Sequence, residues 1–176
     1  YNWNALADGL KLLIVFSVIA GTQAAAYVLR FRVQTKLLSE VIFLMGGMFF
    51  GVGIFLVAQI FHLNAHYPDG VWWWALGVLP FALCLDTVLL HVLLVALSAI
   101  WCGMEIVNFS RIGMLFFGRW PFFPNGAYSL FLFAIPGLTW AYRKGSVATV
   151  SLYVLLFAWW SILQPLSWRL EEEIVY

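Results

Sequence analysis

Charge is scarce in this chain of 176 residues: Asp, Glu, Lys and Arg make up only 10% of it. About a quarter of an ordinary soluble domain is charged. A folded surface with so little charge would not keep a protein dissolved. The composition therefore excludes a soluble enzyme, a nucleic-acid-binding protein and a disordered tail. Apolar residues instead make up 64% of the chain, and aromatic residues 19%.

Cysteine and the motifs of soluble enzymes are also nearly absent. The two cysteines, Cys84 and Cys102, lie in apolar stretches without metal-site spacing, and we expect them to be small buried side chains. The sequence contains no glycine-rich phosphate loop and no G-x-S-x-G nucleophile motif. It begins at Tyr1 with neither a Met nor a signal peptide, so we expect an internal fragment of a longer chain.

Long apolar stretches are abundant, and about 20 helical residues suffice to cross the bilayer core. A segment alone in lipid must satisfy its own backbone hydrogen bonds, and continuous runs such as residues 88–100 do not alternate like barrel strands. The predicted fold class is therefore an all-α integral membrane protein, with residues 1–176 forming a single polytopic transmembrane domain. The six predicted spans cover residues 9–29, 40–62, 70–86, 87–109, 126–142 and 146–164.

A short turn motif recurs before the odd-numbered spans. Pro68-Asp69-Gly70 has a second proline, Pro80, ten residues after its glycine, and Pro124-Asn125-Gly126 has Pro136 at the same distance. Ala7-Asp8-Gly9 is a weaker copy. Asp and Asn favour helix starts because their side chains accept hydrogen bonds from free backbone N–H groups. We therefore predict helix caps at Asp8, Asp69 and Asn125, and three repeated helical hairpins over residues 7–62, 68–109 and 124–164.

Basic residues are concentrated in two loops that are nearly free of acids. Arg30, Arg32 and Lys36 fall in the first loop, and Arg143 and Lys144 in the second. Because short basic loops favour the cytoplasm, we predict that residues 30–36 and 143–144 are cytoplasmic. A tryptophan belt at headgroup level is then expected on the opposite, outer side, formed by Trp3, Trp72, Trp73, Trp74, Trp120 and Trp168.

Polar residues near the outer ends of the second and fourth spans are the best candidates for a site. A carboxyl group inside a span, such as Glu105, is costly and should find a partner. Both spans end on the same side, so we predict that Glu105 contacts at least one member of the group on these ends. This predicted polar cluster consists of Gln59, His62, His66, Glu105 and Asn108. A structural link between helices is favoured over proton transfer or ligand binding.

Cofactor and metal signals are weak. His62 and His66 are four residues apart, and with Asp69 they are weak metal candidates, but ordinary polar residues at a wet interface are favoured. His91 falls near the inner end of the fourth span, too far from His62 to share a haem. We therefore expect no metal and no cofactor. The stripe of His91, Ser98, Cys102 and Glu105 on the fourth span should face protein or water, and the glycines at positions 46, 47, 51 and 53 should serve helix packing.

Three stretches carry a resemblance to a known family. Residues 2–12 resemble a loop and helix start of that family. Residues 58–63 resemble its Gln-Ile-aromatic-His motif. Its Trp-Ala-Leu and Leu-Pro positions are matched by Trp74-Ala75-Leu76 and Leu79-Pro80. It is a family of bacterial multi-spanning membrane proteins, catalogued as domain of unknown function twenty-one fifty-seven, and the resemblance covers about residues 1–90. The resemblance implies a prokaryotic inner-membrane location. It implies no activity and transfers no catalytic residue.

These features favour a non-enzymatic protein of the inner membrane: a scaffold, a sensor or a subunit of a membrane assembly. Its expected partners are membrane lipids and other membrane subunits, not nucleic acid. Two alternatives stay open. Proline-interrupted short spans are compatible with a small-solute or ion transporter. An outer-face membrane enzyme or redox protein would instead use His62, His66 and Glu105.

Overall fold

The computed structural model describes residues 7–62, 67–85, 87–106 and 127–175, with the backbone alone for residues 67 and 166–175. Within these ranges the chain is helical and has no strand, which confirms the predicted all-α class. The helices are α1 (Asp8–Phe31), α2 (Lys36–Ile60), α3 (Tyr67–Leu85), α4 (Val88–Ile106), α5 (Leu130–Arg143) and α6 (Val147–Val175).

Each predicted span coincides with one helix, but α5 is shorter than the others. Five of these helices are long and apolar enough to cross a membrane, whereas α5 has 14 residues. At 1.5 Å per residue it is about 21 Å long, less than the hydrocarbon core of about 30 Å. Three turn residues precede it, and their carbonyl groups accept hydrogen bonds three residues ahead, as between Ala127 O and the Leu130 N–H. These turns lengthen the helical path by a further few ångströms.

Two predicted features of the helix ends differ in the structure. Ala7, not Asp8, occupies the N-cap position of α1, and no side chain caps this helix. The Asp8 carboxylate lies in the first turn and accepts a hydrogen bond from Lys11 Nζ at 2.9 Å, so its charge still faces the positive end of the helix dipole. Asp69 lies in the first turn of α3 rather than before it, and Asn125 lies outside the described residues.

Prolines lie in the interior of three of the described helices. Pro80 is within α3, Pro136 within α5 and Pro165 within α6. The predicted sixth span, residues 146–164, coincides with the candidate span Val147–Pro165, and the helix α6 itself continues to Val175. A proline removes one backbone hydrogen bond without forcing a long helix to stop, because neighbouring groups can satisfy the freed carbonyl.

The first compact unit, Tyr1–Asn64, is a hairpin of α1 and α2. The glycines of α2 at positions 46, 47, 51 and 53 are buried, which agrees with their predicted role in helix packing. A Cβ atom at Gly46 would lie 2.7 Å from Gln23 Nε2, and one at Gly53 would lie 3.1 Å from Ile19 Cδ1. The missing side chains therefore let α1 approach α2 closely.

The second compact unit, Ala65–Tyr176, contains α3 to α6. Trp72 Nε1 donates a hydrogen bond to Ser129 Oγ at 3.2 Å, so the beginning of α3 lies beside the turn that opens α5. His91 contacts Tyr153 near the start of α4 and α6, and Trp159 Nε1 donates to Ala99 O at 3.2 Å further along both helices. The hairpins α3–α4 and α5–α6 therefore run in the same sense. Their equivalence as a sequence repeat stays a prediction.

A buried polar cluster between α4, α5 and α6

The residues of the predicted polar cluster belong to different parts of the chain. Gln59 lies in the last turn of α2, and His62 follows that helix with its Nδ1 3.1 Å from the Gln59 carbonyl oxygen. Both are in the first unit, whereas Glu105 lies in the last turn of α4 in the second. His66 and Asn108 lie outside the described residues. A contact between Glu105 and this group stays a prediction.

The polar stripe of α4 faces the interior of the second unit. His91, Ser98 and Cys102 are fully buried, and Glu105 is half-buried, which confirms that the stripe faces protein. Ser98 Oγ donates to the carbonyl of Leu94 at 2.8 Å, so this hydroxyl is satisfied by its own helix. His91 makes a hydrogen bond to a different helix.

A hydrogen bond between His91 and Tyr153 links α4 to α6. His91 Nδ1 lies 2.8 Å from Tyr153 Oη, and both side chains are fully buried. Depending on the imidazole tautomer, either the phenol or the Nδ1–H group is the donor. A buried donor or acceptor that loses its partner costs about 1–3 kcal/mol, so the bond favours one pairing of these two helices over others.

Helix α5 completes the cluster through an aromatic ring. The Trp140 ring packs against His91 with ring centroids 4.5 Å apart and an interplanar angle of 34°. Lys144 Nζ lies 5.6 Å from the centroid of the Trp140 ring, in cation–π range. Trp140 therefore separates the buried imidazole from the charged turn that joins α5 to α6.

A glycine provides the space for the tyrosine. A Cβ atom built on Gly137 would overlap the ring and hydroxyl of Tyr153. Gly137 is itself buried and directly follows Pro136 inside α5. The close approach of the α5 backbone to the phenol therefore requires glycine at this position. We call His91, Gly137, Trp140 and Tyr153 the His91 cluster.

Two threonines lie one helical turn before the cluster. Thr87 precedes His91 by four residues and Thr149 precedes Tyr153 by four, so each lies on the same helix face as the residue that follows it. Both threonines are fully buried. Thr149 is held by Ser146, whose Oγ lies 2.8 Å from Thr149 Oγ1 and accepts the Thr149 N–H at 3.4 Å. The buried faces of α4 and α6 are therefore both polar near the start of each helix.

The His91 cluster joins three helices: the imidazole on α4 bonds the phenol of Tyr153 on α6 and packs on the indole of Trp140 on α5. Among the residues that the structure describes, no group of three His, Cys, Asp or Glu side chains could hold a metal ion. The sequence analysis placed His91 on an inward stripe but missed Tyr153, Trp140 and Gly137. The four-residue spacing of Thr149 and Tyr153 on the last span was an available signal.

Comparison with known proteins identifies the family of the chain. A family model described as "Predicted membrane protein (DUF2157)" matches residues 1–91, in agreement with the resemblance of residues 1–90. No curated protein and no solved structure matches the chain. The matched region contains α1 to α3 and the beginning of α4 as far as His91, whereas Gly137, Trp140 and Tyr153 lie beyond it.

Proposed function

Because the chain belongs to this family of predicted membrane proteins, we propose that it is a non-enzymatic scaffold or subunit of a larger assembly in the bacterial inner membrane. One observation supports this role. The buried His91 and Tyr153 side chains bond each other and so link α4 to α6, and the buried Ser98 hydroxyl bonds the backbone of its own helix. Groups used in this way hold helices together and are not directed at a substrate.

A transporter would need a different interior. Transporter sites lie near the bilayer midplane, where broken helices present polar groups to a solute. At the middle of α4 the buried residues are Leu94, Leu97 and Ser98, and the one hydroxyl among them bonds Leu94 O. Apolar packing at this level supports a scaffold over a solute path.

In the proposed orientation, the hairpin turns that carry the basic residues lie in the cytoplasm. Arg30 lies in the last turn of α1 and Arg32 just after it, Lys36 begins α2, and Arg143 ends α5 just before Lys144. Short basic loops next to spans are retained on the cytoplasmic side. At the other end of the second unit, Trp72 and Trp73 lie in the first two turns of α3, where a tryptophan belt would meet the outer headgroups.

Cysteine accessibility tests both the role and the orientation. In a Cys84→Ser/Cys102→Ser background, we expect Ser98→Cys to resist a maleimide in intact membranes and to react after denaturation. Tyr142→Cys is the matched control, because Tyr142 is 80% exposed beside the second basic turn. A membrane-impermeant maleimide should label Tyr142→Cys from the cytoplasmic face.

Three results would contradict the proposal. Rapid labelling of Ser98→Cys in the folded protein would reveal a water path and support the transporter alternative. Labelling of Tyr142→Cys from the outer face alone would reverse the orientation. A subunit should also migrate above the mass of the purified chain after mild solubilisation of native membranes, and migration at the single-chain mass would refute the assembly role.

A further inference from the structure

We propose that the turn between α1 and α2 binds the headgroups of anionic phospholipids. This turn joins two helices that are each long and apolar enough to span the membrane. Helices of this length carry their connecting residues to the level of the lipid phosphates. The surface in question, which we call the basic turn, consists of Arg32, Lys36 and the exposed residues between them.

The charges around the basic turn do not cancel. Glu40 is the only acidic residue between Asp8 and Asp69 in the sequence. Its Oε1 lies 3.6 Å from Arg30 Nη1, and the two side chains are only 12% and 16% exposed, so this pair is directed into the hairpin. Arg32 and Lys36 are exposed, and the two acids described in the first unit are paired elsewhere, Glu40 with Arg30 and Asp8 with Lys11. Two positive charges therefore face the headgroup region.

The start of α2 adds to this positive potential. Thr35 occupies the N-cap position, but its side chain makes no capping hydrogen bond. Its Oγ1 donates instead to the carbonyl oxygen of Leu29 at 3.4 Å. The first backbone N–H groups of this 25-residue helix, beside Lys36, therefore have no side-chain acceptor, and they carry the partial positive charge of the helix dipole.

Apolar side chains around the same turn favour a lipid over a free anion. Phe31, Val33 and Leu37 are 55%, 56% and 77% exposed and alternate with the two basic residues. A phospholipid offers phosphate oxygens to the arginine and lysine, and an apolar boundary to these neighbours. A dissolved phosphate would leave the apolar side chains without a partner.

Lys11 and Lys144, two other cations whose side chains the structure describes, are placed differently. Lys11 donates to Asp8 at 2.9 Å, so its charge is compensated. At the turn between α5 and α6, Lys144 lies over the Trp140 ring, and Ser146 accepts the N–H of Thr149 at the start of α6. That turn has the same two formal charges as the basic turn and provides a matched control.

The test compares the lipid preference of three proteins: the unchanged chain and two double variants. The full chain is delipidated in detergent, offered equal amounts of phosphatidylglycerol and phosphatidylcholine with identical acyl chains, and analysed for bound lipid by native mass spectrometry. Each basic residue near a lipid surface contributes about 1 kcal/mol, so Arg32→Gln/Lys36→Gln should lower the phosphatidylglycerol preference about tenfold or more. Arg143→Gln/Lys144→Gln should change this preference less than about threefold.

The outcomes separate a site from general attraction. An equal loss of preference in both double variants would mean that net charge alone attracts the lipid, and would refute a site at the basic turn. An unchanged preference in Arg32→Gln/Lys36→Gln would do the same. Displacement of phosphatidylglycerol by dissolved glycerol phosphate would identify a free-anion site and overturn the lipid assignment. Unfolding midpoints measured in parallel should agree among the three proteins, because the mutated side chains are exposed.

Discussion

Replacing Gly137 with alanine should destabilise the second unit by forcing Tyr153 away from His91. The new Cβ atom would lie 2.5 Å from Tyr153 Cε1, and closer to the ring tip and the hydroxyl. An ordinary carbon–carbon contact begins near 3.5 Å, so the ring must move by about 1 Å. Such a movement stretches the 2.8 Å bond between Tyr153 Oη and His91 Nδ1 beyond hydrogen-bond range.

The size of the effect follows from three contributions. Overpacking a filled interior costs about 1–3 kcal/mol, and loss of the buried hydrogen bond costs about 1 kcal/mol more. Alanine favours a helix over glycine by up to about 1 kcal/mol, which offsets part of this loss of stability. The expected net loss for Gly137→Ala is about 1–3 kcal/mol, which lowers the unfolding midpoint by roughly 3–10 °C.

Cys102 provides a built-in probe for the measurement. Its side chain is fully buried on α4, so a thiol-reactive fluorescent dye reports unfolding of the second unit in a Cys84→Ser background. Gly103→Ala is the matched control, because its Cβ would meet only Trp159 Cζ2 at 3.8 Å, an ordinary contact. We expect this control to unfold at or above the parent temperature.

A double-mutant cycle with Tyr153→Phe tests the mechanism. If Gly137→Ala acts by breaking the His91–Tyr153 bond, the double variant loses that bond only once. Its destabilisation should therefore fall about 1 kcal/mol short of the sum of the two single variants. A Gly137→Ala protein as stable as the Gly103→Ala control would refute the close packing, and strict additivity would refute the role of the hydrogen bond.

Further variants address other parts of the chain. Arg30→Gln should destabilise the first hairpin by about 1–3 kcal/mol because it leaves Glu40 without its partner, and adding Glu40→Gln should recover part of the loss in a denaturation titration. Gly46→Val should push the Gln23 amide away and loosen the same hairpin by a similar amount, visible as faster hydrogen exchange in α1. Glu105→Gln should leave the unfolding midpoint nearly unchanged if this carboxyl group makes a structural hydrogen bond, because the amide can make the same bond, and a fall of several degrees would refute that role.

Sequence patterns within one segment predicted the helices well, but they could not predict contacts between residues far apart in the chain. The inward stripe of α4 was predictable because His91, Ser98 and Cys102 repeat at helical spacing within one segment. The partner of His91 was not, since Tyr153 lies 62 residues away on a helix whose position depends on how α5 packs. Sequence spacing also could not show that Gly137 matters, because its role comes from the phenol that approaches it.

Errors in the helix bounds have similar causes. The apolar run at residues 126–142 predicted one continuous span, but Ala127 has a positive φ of 52°, and the chain makes tight turns before α5 begins. The predicted N-cap residue of α1, Asp8, is one residue later than the observed one, Ala7. The Asp8 carboxylate lies in the first turn and accepts a hydrogen bond from Lys11 instead.

The shortness of α5 has a consequence for biosynthesis. With 14 residues, an internal proline and a glycine, this helix gains too little from lipid to remain in the bilayer alone. The three residues 144–146 join it to the much longer α6, against which it packs. We therefore expect α5 to insert only after α6 has left the ribosome, so that the two helices enter the membrane together as one hairpin.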